Sequence, residues 1–369
     1  MIDPSLAQAR LFHAIVLMRL DSLEDAGREL TLIRGLEMPA DVRHQVEDAL
    51  RQIDRKRRRT NATFSVTTGW GYDRNRNAAP SSKNALVLDV PTPVEGTSRR
   101  RHDTAFIMID SLDVTHDLGM QAGHELVGTF TYFLGEQTRV DDLDLQSFSL
   151  EPGIRLKSPW GNLTPRAIID HVTLSRETYL RSQGGRVDYE RAITPRLGVT
   201  GKTDWQREDF SGINESSAAA ERRGSRITVD GGLSYLVIPS MQLVGSIAYD
   251  RKNAKATYYT YDGLTLSGTH TWILPKSQFI LNTLELELNG YEGADPALSG
   301  TTRHDEIFRY RLTYGTPVAT LVPLEALRPL IRDTTATASF EQTRSLSTVM
   351  NYTYANSKYT LLLTKTWEF

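Results

Sequence analysis

From Asn61 to the last residue, Phe369, side-chain polarity alternates with a period of two, and this limits the chain to architectures built from strands. Successive side chains of a strand point to opposite faces, so the alternation sorts each stretch into an apolar and a polar side. Ile227, Val229, Gly231, Leu233, Tyr235 and Val237 alternate with Thr228, Asp230, Gly232 and Ser234. Met241, Leu243, Gly245, Ile247 and Tyr249 then stand against Gln242, Ser246 and Asp250. Leu284, Leu286 and Leu288 alternate with Glu285, Glu287 and Asn289, and Phe308, Tyr310, Leu312 and Tyr314 with Arg309, Arg311 and Thr313. Leu126, Gly128, Phe130 and Tyr132 follow the same rule. A soluble sandwich and a membrane barrel both produce such alternation.

The connections separate these two architectures. Short turns at Ser158-Pro159-Trp160-Gly161, Thr194-Pro195, Pro239-Ser240 and Pro275-Lys276 interleave with longer polar loops at Asn75–Asp103, Gly135–Asp144, Ser211–Gly224 and Glu292–Arg303. Short turns on one rim and long loops on the other are the habit of outer-membrane barrels. About fourteen strands fit between Asn61 and the end, an even number that places both barrel ends, and the segment before them, in the periplasm. The segment Thr316–Arg332 falls on the short-turn side and reads as either a short helix or a lengthened turn. In the final strand Tyr359, Leu361, Leu363, Trp367 and Phe369 share one face, with Thr360, Leu362, Thr364, Thr366 and Glu368 on the other. Aromatics at both ends of an aliphatic stripe suit a wall between lipid and a polar lumen, and the length suffices to cross a bilayer. An aromatic carboxyl terminus resembles the closing strand of bacterial outer-membrane barrels, which implies recognition by the barrel assembly machinery.

Composition agrees. Hydrophobic residues make up 39% of the 369 residues, and no run approaches the roughly 18 apolar residues of a spanning helix. The formal net charge of -2 gives no reason to expect nucleic-acid binding. Cysteine is absent, which removes disulfides and thiolate metal sites. Met1-Ile2-Asp3-Pro4 has none of the features of an export signal, so the expectation is that the native leader is missing from this start.

Residues 1–59 read as helices and residues 60–369 as the barrel. Ala14 and Leu17 mark a first helix ending near Leu20. Asp21 and Ser22 are placed to cap a second, along which Leu23, Ala26, Leu30 and Ile33 recur at helical spacing until Gly35. Val42, Val46, Leu50 and Ile53 form a third stripe after Pro39. The set resembles one and a half tetratricopeptide repeats, and a generic helical hairpin fits as well. So few helices bury little core alone and are expected to lean on the barrel or on further repeats. The run Asp54-Arg55-Lys56-Arg57-Arg58-Arg59 suits a helix C-terminus or the anionic headgroups of the periplasmic leaflet.

No catalytic constellation, cofactor fingerprint or metal motif emerges, and the expectation is a protein that is not an enzyme. His116 and His124 flank a turn. Asp141, Asp142 and Asp144 form an acidic loop without the spacing of a calcium-binding hand. Arg99-Arg100-Arg101-His102 lies on a long external loop, where it is either solvated or a lipopolysaccharide contact. Arg309 and Arg311 on the inner face, with Glu285 and Glu287 on another strand, predict a charged lumen in which these groups either pair or line a path.

One junction is more specific. Phe64-Ser65-Val66-Thr67-Thr68-Gly69-Trp70-Gly71-Tyr72-Asp73-Arg74-Asn75-Arg76-Asn77-Ala78-Ala79-Pro80 resembles the start of the barrel in the surface lipoprotein assembly modifier (Slam) family. Met38-Pro39-Ala40-Asp41-Val42-Arg43 with Ile53 and Asp54 is similar to that family's last repeat, and Trp367-Glu368-Phe369 to its end. The chain departs from the family in having fewer helices and in carrying Arg74 where a small residue is usual. The resemblance implies an outer-membrane translocator that passes lipoproteins or related secreted proteins to the cell surface. Asp73, Asn75 and Asn77 would then sit at the top of the first strand or fold into the lumen; an ordinary turn suits them equally. The implied partners are a client protein, outer-membrane lipid and lipopolysaccharide. Two other readings stay open: an exopolysaccharide secretion porin, and a soluble multi-stranded binding protein. The aromatics placed so far lie mostly on the apolar face, which speaks against a sugar track.

Overall fold

The computed structural model describes residues 4–19, 22–36, 38–213, 217–321 and 331–369. Three helices come first: α1 (Pro4–Arg19), α2 (Leu23–Arg34) and α3 (Ala40–Arg57). Their core is Leu11, Ala14, Ala26, Leu30, Ile33, Val42, Val46, Ala49 and Ile53, the stripes expected from helical spacing with Leu11 and Ala49 added. Leu23 and Leu50 are only partly buried against it. Ser22 takes the N-cap position of α2, but its hydroxyl donates to the Asp25 carboxylate at 3.2 Å instead of accepting from a backbone N–H. Asp21 lies outside the described residues. Among the described residues no helix is long and apolar enough to cross a membrane.

The chain then forms β1 (Thr60–Asp73), a small hairpin β2 (Asn84–Val87) and β3 (Val90–Pro93), and β4 (Asp103–Asp117). Next come β5 (Glu125–Gln137), β6 (Leu145–Ser158), β7 (Gly161–Leu174), β8 (Glu177–Ala192), β9 (Leu197–Phe210) and β10 (Gly224–Ile238). Finally, β11 (Met241–Ala254), β12 (Tyr261–Ile273), β13 (Phe279–Tyr291), β14 (His304–Pro317), β15 (Thr334–Ser347) and β16 (Tyr354–Glu368) complete the wall. Each strand except β2 and β3 pairs antiparallel with its sequence neighbours, and β1 closes on both β4 and β16. Among the described residues, fourteen strands therefore make one closed barrel. Closure satisfies every ladder within the wall, which the hydrocarbon demands of any spanning sheet.

The polarity is inside out. Leu361 (67% exposed), Leu233 (57%) and Trp70 (56%) face outward, whereas buried polar groups such as Asp204, Asp250 and Asn289 face the lumen. Aromatics sit near both ends of the outer band: Phe64 stacks on Trp367 at 5.6 Å near the chain termini, and Trp70 meets Phe106 edge-on at 5.5 Å toward the far end. This is the surface of an outer-membrane barrel. The band carries exceptions, since Asp110 and Lys365 flank Val66 in register on the outer face. In β10 a register shift between Leu236 and Ile238 corrects the simple alternation. The extra residue leaves Val237 without a partner on β11 and turns Ile238 outward.

The connections sort as the loop lengths predict, with the termini, the helices and the Pro-containing turns at one end and the long loops at the other. One long-side connection is tight: Ser175 and Arg176, with φ of 51° and 67°, join β7 to β8 in two residues. On the short-turn side β14 runs into the four-residue α4 (Val318–Leu321), so the Thr316–Arg332 segment begins as a helix; its residues 322–330 lie outside the described ones.

Candidate functional site

The lumen is built from alternate residues of each strand, so its chemistry follows directly from the polar half of the period-two pattern. Arg309 on β14 reaches β13, where it contacts Glu285 and holds Glu287 at 2.8 Å. Arg311, two residues on, turns the other way and pairs with Glu341 on β15 at 2.7 Å. The four luminal residues picked out from sequence are therefore not one cluster. Arg309 joins both glutamates, and Arg311 has a third partner.

The same logic runs round the wall. Arg186 on β8 bridges Glu151 (2.8 Å) and Asp204 (3.0 Å). Arg226 pairs with Asp250 at 2.8 Å, and the Lys252 ammonium with Glu208, the most buried of these pairs at 6% and 11% side-chain exposure. Arg186–Asp204 and Arg226–Asp250 join neighbouring strands, where opposite charges lie within side-chain reach, whereas Arg186–Glu151 and Lys252–Glu208 each reach across an intervening strand inside the lumen.

At the long-loop end three 3-10 turns (Ser217–Arg222, Thr257–Tyr259 and Met350–Tyr352) bring Arg222, Tyr259 and Tyr352 against the luminal wall. They meet Tyr261, Tyr291 and Arg303 around a cavity of about 420 Å³. Arg303 stacks between two rings, 3.4 Å from the Tyr352 centroid and 4.4 Å from that of Tyr291, while its guanidinium donates to Asp305 at 3.0 Å. Arg222 lies 4.9 Å over Tyr259 and donates to the Tyr179 hydroxyl at 2.9 Å. Its Nε is buried without a partner, and among the described residues no carboxylate pairs with it. Burial, opposed by Arg303, holds the Tyr352 phenol above its ordinary value, so the ring stays a neutral donor at neutral pH. The cavity thus offers tyrosine faces, phenol hydroxyls and a cation that has no counter-ion among the described residues, a combination that can hold anionic or planar groups. Sequence reasoning missed it because its parts come from three loops far apart in the chain. The available signal was the clustering of Tyr258-Tyr259, Tyr261, Tyr291, Tyr352 and Tyr354 at loop–strand junctions.

The residues expected at the top of the first strand serve the external loop. The Asp73 carboxylate accepts the Asn75 N–H at 2.9 Å. Asn75, 3% exposed, donates to the Ala79 and Ala355 carbonyls and accepts the Ala79 N–H at 3.0 Å. Asn77 donates to the Thr97 and Arg99 carbonyls and accepts the Arg101 N–H, closing the loop at its base. From there the β2–β3 hairpin reaches over to the β13–β14 loop. Leu88 and Asp89 donate their N–H groups to the Ala297 and Leu298 carbonyls at 3.1 and 2.9 Å. Asn351 clasps Leu86 through both its N–H and C=O.

The other sequence candidates are absorbed in the same way. Arg99 and Arg100 donate to the Val94 and Arg74 carbonyls, and Arg101 pairs with Asp142 at 2.8 Å. Asp144 accepts the Gln137 N–H at 2.7 Å. Among the described residues no acidic or histidine group has metal-binding geometry. His124 accepts from the Lys157 N–H at 3.1 Å, and His116 shares a hydrogen bond of 2.7 Å with Thr60.

No family model and no curated protein matches the sequence. Among solved structures the chain is similar to OpdQ of Pseudomonas aeruginosa, at 6% identity over 84% of this chain and 98% of that chain, TM-score 0.40. A Pseudomonas aeruginosa FadL homologue is similar at 10% identity over 83% and 90%, TM-score 0.46. OmpT of Vibrio cholerae, in a loop-deleted form, is similar at 8% over 84% and 100%, TM-score 0.43. Likeness at this level concerns architecture alone.

Proposed function

We propose that this chain is an outer-membrane transport protein, and specifically a translocator that passes lipoproteins or related secreted proteins to the cell surface. The observation that carries the reading is the placement of the helices at the barrel's periplasmic mouth. The helix α3 meets the ends of β15 and β16 around a groove of about 1130 Å³ that includes Asp48, Arg51, Gln52, Thr335 and Trp367. Asp48 reaches Arg332 across it at 3.8 Å. A client segment bound there would stand at the entrance to the lumen. The Slam-like junction Tyr72-Asp73-Arg74-Asn75-Arg76-Asn77 supports the same reading. We assign Tyr359, Leu361, Leu363, Trp367 and Phe369 on β16 to recognition by the barrel assembly machinery. The reading involves no enzymatic step.

The test is surface protease accessibility of a candidate lipoprotein in a Gram-negative host, with and without this chain carrying a working leader. A client cleaved on intact cells only when the protein is present supports translocation. If a folded, membrane-inserted protein leaves every client protected, the translocator reading fails. A second reading, an exopolysaccharide secretion porin, is favoured by the luminal tyrosines, since ring faces suit sugars. Loss of capsular polymer export in a deletion strain, restored by the intact gene, would support it.

A further inference from the structure

The outer wall carries a basic cleft near its cell-surface end that the transport reading does not use. On β7, β8 and β9 the lipid-facing positions are apolar through Leu163, Ile169, Val187 and Trp205. Toward the long-loop end the same outward rows change to His171, Arg181, Gln183 and Arg207. His171 stands opposite Arg181 and Gln183 opposite Arg207 in the ladders. Together with Phe148, Ile169 and Asp209, which stands opposite Arg181, they line a cleft of about 670 Å³.

Two facts separate these cations from the rest of the barrel. On the same strand, inward-facing Arg186 is held by two carboxylates, whereas Arg181 and Arg207 make no ion pair or side-chain hydrogen bond among the described residues. The nearby carboxylate, Asp209, is engaged by Arg223. An arginine facing hydrocarbon is costly unless its head reaches a polar layer or a counter-ion, and among the described residues the carboxylate that faces Arg181 is ion-paired with Arg223 instead. The floor beneath them is apolar, with Phe148 packed edge-on against His171 at 5.2 Å.

We propose that this cleft binds a phosphorylated glycolipid of the outer leaflet, lipopolysaccharide, through a phosphate of its lipid A. The two guanidinium groups take the phosphate oxygens, His171 and Gln183 complete the polar rim, and an acyl chain lies over Ile169 and Phe148. Guanidinium is the side-chain group best matched to phosphate geometry. The external Arg99–Arg101 run is set apart from this cleft, because Arg99 and Arg100 bond to carbonyls of their own loop and Arg101 to Asp142 of the β5–β6 loop. The inference rests on the outer-membrane barrel and is independent of what the lumen carries.

The test is native mass spectrometry of the full chain in detergent after titration with bis-phosphorylated lipid A. Monophosphoryl lipid A and phosphatidylglycerol serve as parallel probes. Wild type is expected to retain one bis-phosphorylated lipid A, and R181Q/R207Q to lose about tenfold or more in affinity. Barrel closure of the variant is checked by its heat-modifiable migration on gels, and R181K/R207K provides a variant of unchanged charge. Equal retention by wild type and the glutamine variant would overturn the proposal. So would phosphatidylglycerol binding as tightly as lipid A.

Discussion

Asp89 at the tip of the external hairpin is hydrogen-bonded to Ser299, two hundred and ten residues later in the chain, whose hydroxyl donates to its carboxylate. The Gly300 N–H adds a second donor at 2.9 Å. The Ser299 hydroxyl first, and this amide second, hold the carboxyl below its ordinary 3.8. A depressed folded pKa means the anchor contributes above the unfolded pKa and is lost as pH falls through the folded value. The expected outcome is an unchanged distance between spin labels at Leu88 and Pro296 from neutral pH down to the carboxylate range, then separation at lower pH. In D89N the separation should be wider at neutral pH and insensitive to acid.

Luminal ion pairs differ in burial, and their removal should differ accordingly. Lys252–Glu208 is nearly enclosed, while the Arg311 side chain is 58% exposed beside Glu341. Lys252→Met leaves a buried carboxylate and should cost about 3 kcal/mol, against about 0.5 kcal/mol for Arg311→Met. The double change K252M/E208Q should recover most of the loss. Urea unfolding in lipid vesicles measures all three.

In the tyrosine-lined cavity at the long-loop end, the vestibule of the lumen, Arg222 has no carboxylate to neutralise it among the described residues, so it biases the upper lumen toward anions. Arg222→Gln should reduce the chloride-over-potassium preference in planar bilayers under a salt gradient. Arg309→Gln, which removes a cation already balanced by Glu285 and Glu287, shifts selectivity toward cations while exposing two carboxylates. An identical selectivity in wild type and Arg222→Gln would show that the vestibule is not on the ion path.

The β1–β16 junction depends on Gly69. A Cβ there would lie 2.0 Å from the Leu361 carbonyl oxygen, so Gly69→Ala must push the two strands apart. Gly231 on β10 has nothing within 4 Å and serves as the control. The Gly69 variant is expected to yield less heat-resistant folded barrel, and Gly231→Ala to match wild type.

How far the sequence could be read depended on whether the information was local. The strands, their outward faces and the rim on which each loop falls follow from a period of two and from the turn residues, both local properties. The pairing of Arg309 with Glu285 and Glu287, one of two readings the sequence left open for these charges, needed only adjacent strands in register. The break in alternation at Val237 was not legible because a bulge shifts the period without any marker in the residues around it. The β2–β3 hairpin escaped because Val87-Leu88-Asp89-Val90 is too short to stand out within a long polar loop, and it is fixed by partners near residues 297 and 351. The vestibule needs loops from residues 217 to 352 brought together over the lumen, and the outer cleft needs four neighbouring strands set in register, which no single local pattern records.

Closure has one more implication for traffic. The first and last strands pair without a break from Thr63 opposite Glu368 to Asp73 opposite Lys358, and Phe369 extends the join by exchanging backbone hydrogen bonds with Ala62. The wall thus has no loose stave, and a cargo seeking the plane of the membrane finds no doorway at the place where the chain's two ends meet. Passage through such a vessel is along its axis, and a lipid-anchored passenger would have to round the rim with its acyl chains.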